Sequence, residues 1–60
     1  MENTLTFVDR NKQITFSDLD KDNEIEIMID FGDDDERYFW LNKENVMSLR
    51  KHLDYVISKI

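Results

Sequence analysis

The segment Glu24-Ile25-Glu26-Ile27-Met28-Ile29-Asp30-Phe31 places an apolar residue at every second position. Side chains along a strand point alternately to opposite faces. The stretch therefore predicts one sheet surface of Ile25, Ile27, Ile29 and Phe31, and another of Glu24, Glu26, Met28 and Asp30. A row of isoleucines needs a second layer to take it out of water. One segment is suited to that task. From Lys43 onward the apolar spacing changes to threes and fours, through Val46, Leu49, Leu53, Val56 and Ile60, with Ile57 beside them. That is the stripe of an amphipathic helix. Asn42 stands where an N-cap belongs, Glu44 complements the positive end of the helix dipole, and Lys59 the negative end.

The rest of the chain reads as further strands. In Thr4-Leu5-Thr6-Phe7-Val8, Leu5 and Phe7 share a face; in Gln13-Ile14-Thr15-Phe16-Ser17, Ile14 and Phe16 do. A two-residue turn at Arg10-Asn11 sets Phe7 opposite Ile14 and Leu5 opposite Phe16, so the apolar faces coincide. Asp18 to Asn23 is a loop rich in Asp and Asn, with Leu19 available to cap an edge of the core. Gly32-Asp33-Asp34-Asp35-Glu36 is a turn, followed by a strand from Arg37 to Leu41. Pairing Phe31 with Arg37 sets Ile29 against Phe39, Ile27 against Leu41, Met28 against Trp40 and Asp30 against Tyr38. The expected layout is β strands over 4–9, 12–17, 24–31 and 37–41 and a helix over 43–59. This is an α+β fold: a four-stranded antiparallel meander with one amphipathic helix packed on one face, forming a single domain over 1–60.

Sixty residues hide a modest fraction of their surface, and the chain has no cysteine to staple itself with disulfide or thiolate–metal bonds. Small domains of this kind often complete their burial against a second chain. Net charge is −6 and unevenly placed: residues 1–42 carry 12 acids and 4 bases, residues 43–60 carry 4 bases and 2 acids. Such a field repels nucleic acid and attracts basic surfaces. The start Met1-Glu2-Asn3-Thr4 has no basic or apolar leader pattern, and the longest apolar run is Tyr38-Phe39-Trp40-Leu41. The expectation is a cytoplasmic protein that binds neither membrane nor nucleic acid directly.

A sheet covered on one side leaves the other open. By parity that side carries Met28, Tyr38 and Trp40 beside Glu26 and Asp30. Aromatic residues and methionine are enriched at the centre of protein interfaces, and Trp and Tyr dominate their binding energy. The candidate partner-binding residues are therefore Met28, Tyr38, Trp40, Glu26 and Asp30, with the run Asp33, Asp34, Asp35 and Glu36 as an electrostatic hook for a basic partner. The alternative roles are ordinary: Trp40 shielding the sheet, and the acidic run keeping a hairpin tip soluble.

Chemistry finds little purchase. Asp18-x-Asp20-x-Asp22-Asn23 opens like a calcium loop, but the twelfth position, where a bidentate Glu is required, is Ile29, and a strand follows. His52, the single histidine, borders the apolar stripe with no nucleophile or oriented base beside it. One glycine cannot build a phosphate-binding loop. The expectation is a non-enzyme without catalytic residues, metal site or cofactor.

The order of elements, with Tyr38-Phe39-Trp40-Leu41 closing the sheet and Asn42-Lys43-Glu44 opening a terminal helix, resembles the small acidic accessory proteins encoded by bacteriophages. That resemblance is architectural and spans nearly the whole chain. It implies a protein that binds and blunts a host enzyme or defence factor in the host cytoplasm. Three readings follow. The first is an inhibitor or modulator gripping a protein partner by the aromatic patch. The second is a DNA mimic whose carboxylates occupy a nucleic-acid cleft on another protein. The third is a structural homodimer built by packing open sheet faces.

Overall fold

The computed structural model describes residues 3–60, so the reading of Met1 and Glu2 lies outside them. It shows β1 (Leu5–Asp9), β2 (Lys12–Phe16), β3 (Ile25–Asp30), β4 (Glu36–Leu41) and α1 (Lys43–Lys59). The four strands form one antiparallel sheet in the order β1-β2-β3-β4. This is the α+β meander-plus-helix that the alternation predicts. Because side chains alternate, the pairings assemble continuous rows across the sheet. On the helix side, Leu5, Phe16, Ile27 and Phe39 form one row and Phe7, Ile14, Ile29 and Arg37 the next. Phe7 and Phe16 meet edge to face with ring centroids 6.1 Å apart, an arrangement the ring quadrupoles favour.

The first hairpin has the expected register, Phe7 with Ile14 and Leu5 with Phe16. Arg10 takes a positive φ of 59° while Asn11 does not, as in a type II′ turn. The β3–β4 register differs from expectation by two residues. Ile27 pairs with Phe39, Met28 with Tyr38, Glu26 with Trp40, Ile29 with Arg37 and Asp30 with Glu36. The cause lies in the turn. Phe31 leaves the ladder to join the loop, and its N–H donates to the Asp35 carbonyl at 2.8 Å. Inside that closure the Asp35 N–H donates to the Gly32 carbonyl, with Asp33 and Asp34 both in the left-handed region at 53° and 61°. That is a type I′ turn, whose twist matches the strands it joins. Gly32, at φ 85°, supplies the third left-handed residue.

Asn42 opens α1 with a capping box. Its side chain accepts from the Asn45 N–H at 2.9 Å, and the Asn45 side chain accepts from the Asn42 N–H at 3.4 Å. The stripe of α1 faces the apolar side of the sheet: Leu49 and Leu53 share a wholly apolar hollow with Leu5, Phe7 and Phe16, and Val46, Leu49 and Val56 are half-buried. The cover is loose. Ile27, 4% exposed, is the one fully buried apolar residue among those described. Leu19 stays open, next to the first turns of α1.

Two substitutions check this arrangement. Ile27→Ala should cost roughly 2–4 kcal/mol and leave the chain largely unfolded by circular dichroism at room temperature. Asp34→Gly, which gives the type I′ turn its preferred second residue, should raise stability by roughly 0.5–1 kcal/mol in urea unfolding.

Candidate protein-binding face

The outward positions of the strands are Thr6 and Val8 on β1, Gln13 and Thr15 on β2, Glu26, Met28 and Asp30 on β3, and Glu36, Tyr38 and Trp40 on β4. No basic residue is among them; Lys12 and Arg37 belong to the other parity. Three rows cross this face. Thr6, Thr15, Met28 and Tyr38 form the middle one, where the two threonine hydroxyls lie 3.2 Å apart. Val8, Gln13, Asp30 and Glu36 form the row at the hairpin end. Glu26 and Trp40 begin the third, which Ser17 continues: its amide donates to the Glu26 carbonyl at 3.0 Å, and its hydroxyl accepts from the Glu26 N–H at 2.7 Å.

Tyr38 and Trp40 are therefore neighbours on one strand and one face, and Met28 lies across the ladder from Tyr38. Trp40 is 53% exposed and Tyr38 nearly as open. Carboxylates surround them. The Tyr38 hydroxyl donates to Glu36 Oε2. That hydrogen bond, then partial burial, then the negative charges of Glu36, Glu26 and Asp30 hold the phenol above its ordinary pKa, because each favours the protonated form. A groove of about 300 Å³ beside the indole is lined by Thr4, Ser17, Asp18, Leu19, Asp20, Glu26 and Trp40. The acidic β2–β3 loop thus borders the aromatic patch.

The structure brings Glu26, Met28, Asp30, Tyr38 and Trp40 onto one face and adds Glu36 to it, since Glu36 is a strand residue and not part of the turn. The other members of the acidic run part company. Asp33 and Asp34 occupy the hairpin tip, and the Asp35 carboxylate lies 3.5 Å from the Arg37 guanidinium. Two expected neighbours are corrected: Trp40 faces Glu26 rather than Met28, and Tyr38 faces Met28 rather than Asp30. A two-residue slip preserves parity, so the face is unchanged while the partners move. Strand parity alone did not reach Asp18 and Asp20, which a loop returns to the Trp40 end of the sheet. The signal for them was the register itself, which sets Ser17 beside Glu26.

In the calcium-like loop the Asp18 and Asp20 carboxylates are engaged by backbone amides. Asp18 accepts from the Asn3 N–H at 2.9 Å and the Leu19 N–H at 2.7 Å; Asp20 accepts from the Asp22 and Glu24 N–H groups at 2.8 and 3.0 Å. Asn23 adopts the left-handed turn expected of it, at φ 60°. Among the described residues no three His, Asp or Glu side chains converge as a metal cage. No described helix is long and apolar enough to cross a membrane. Compared with known protein families, curated proteins and solved structures, the chain matches none.

The two shifted groups give opposite pH dependences. The amides of Asn3 and Leu19 hold Asp18 below its ordinary pKa, so its contribution to stability is complete above the unfolded value and lost as pH falls through the folded one. Asp18→Asn should flatten the acid limb of the stability curve. Tyr38 is raised, so its contribution is complete below the unfolded pKa and lost as pH rises through the folded one. In an ultraviolet titration, Glu36→Gln should move the Tyr38 ionisation to lower pH.

Proposed function

We propose that the chain is a non-enzymatic protein-binding module that takes a basic partner on its open sheet face. It acts there as an inhibitor or modulator by occupying the partner's surface. The observation that carries this reading is the pair Tyr38 and Trp40, half exposed and adjacent on β4, within a frame of Glu26, Asp30 and Glu36 that contains no base. The aromatic rings supply apolar area on rigid side chains that lose little entropy on binding. The sheet holds them in place before any partner arrives, which lowers the cost of association. The carboxylates act at longer range, steering a positive surface toward the rings and rejecting acidic competitors. The cytoplasm of a host cell, implied by the architectural resemblance to phage accessory proteins, fits a protein free of disulfides.

The test is capture from a bacterial lysate on the immobilised protein, followed by titration of the captured partner. Replacing Tyr38 and Trp40 together with Ala should weaken binding by about 30-fold or more while leaving the circular dichroism spectrum unchanged, because both rings lie outside the core. Equal capture by the wild type and the double variant would remove the reading. Salt separates the two ways the face could work. If the rings carry the affinity, added salt slows association and leaves much of the binding in place. If the carboxylates instead imitate the phosphates of nucleic acid, binding collapses between low and high salt and the double variant binds almost normally.

A further inference from the structure

The chain exposes 5533 Å² of surface. A compact monomer of its 7.3 kDa mass exposes about 4,200 Å². The excess, roughly 1,300 Å², exceeds the approximately 800 Å² that each partner hides in a standard protein interface. Exposed apolar side chains stand on the helix side, away from Tyr38 and Trp40. Phe7, on the sheet surface beneath α1, is 55% exposed, and on α1 itself Met47 is 59% and Ile57 67% exposed.

From this we propose that a second copy of the chain covers the helix side, by antiparallel pairing of the two α1 helices about a two-fold axis at His52. The residues of α1 specify that occupant. Met47, Arg50, Asp54 and Ile57 follow one another at spacings of three, four and three, the interval that keeps side chains on one seam of a helix pair. They run beside the stripe of Val46, Leu49, Leu53 and Val56. The seam is symmetric about His52 in position and opposite in charge. Antiparallel pairing there sets Met47 against Ile57 of the second copy and Arg50 against Asp54 of the second copy, and the two-fold axis repeats both contacts. A foreign helix would match this pattern only by coincidence, whereas a second copy matches it by construction. Antiparallel helices also oppose their dipoles, and Glu44 of one copy comes to the Lys59 end of the other. The dimer leaves both open sheet faces free. Each assembly presents two copies of the aromatic patch, which raises avidity for a partner with repeated sites.

Sedimentation equilibrium on the intact chain decides the matter. At ~100 μM the wild type should sediment at twice 7.3 kDa. Arg50→Asp and Asp54→Arg should each weaken the dimer at least tenfold, because each sets like charges together at two places. The chain carrying both exchanges should recover it. The Tyr38→Ala, Trp40→Ala double variant should dimerise as the wild type does. A monomeric wild type overturns the proposal, as does failure of the combined exchange to restore what the single exchanges remove. Dissociation on loss of Tyr38 and Trp40 would place the interface on the open face instead, and would also overturn it.

Discussion

The structure depends on one row of side chains: Leu5, Phe16, Ile27 and Phe39, aligned across four strands by the pairing of the ladder. Ile27 is its centre and the one described apolar residue that water scarcely reaches. The composition of the open face follows from which way that residue points. Alternation along β3 sends Met28 and Glu26 outward because Ile27 turns inward, and the register carries the same decision to Tyr38 and Trp40 on β4. A reversal of parity on β3 would move Ile25, Ile27 and Ile29 into water, and one on β4 would turn the indole to the helix side. The candidate binding face is thus the obligatory complement of a core.

That core is small. The helix lies over the sheet closely enough to bury Ile27, yet leaves Phe7, Phe39 and Leu53 half in solvent. A chain of this length has little apolar area to spend and a conformational entropy cost of comparable size. Local devices therefore matter: a capping box at Asn42, a type I′ turn at Asp33-Asp34, and backbone amides gathered by Asp18 and Asp20. Each fixes a segment that packing alone holds weakly, and two of them, the turn and the Asp18–Asp20 loop, also position carboxylates around the sheet.

Much of this was legible in the residues. The period-two pattern over 24–31, the matched faces of the first two strands and the threes and fours after Lys43 carry the architecture, and they are strong because each is set by burial. The outward position of Trp40 follows from parity. The partners of Trp40 and Tyr38 do not, because a hairpin can move by two residues without exposing a single isoleucine. The choice was made by the turn, where three consecutive left-handed residues, Gly32, Asp33 and Asp34, take Phe31 and Asp35 out of the strands. The groove between Trp40 and the Asp18–Asp20 loop was hidden for a related reason, since a loop's return path is decided by hydrogen bonds to distant backbone. The amphipathic stripe told which side of α1 faces the sheet. How near it comes depends on side-chain volumes on both surfaces, which periodicity does not encode.

The indole of Trp40 stands half exposed among carboxylates, and the chain's single tryptophan makes this directly measurable. Fluorescence quenching with caesium and with iodide at equal ionic strength reads both parts at once. The emission should be red-shifted and quenched strongly by caesium, which the acidic frame gathers, and weakly by iodide, which it repels. A blue-shifted emission insensitive to either ion would mean that the ring is sealed within the fold and that no aromatic patch stands on the open face.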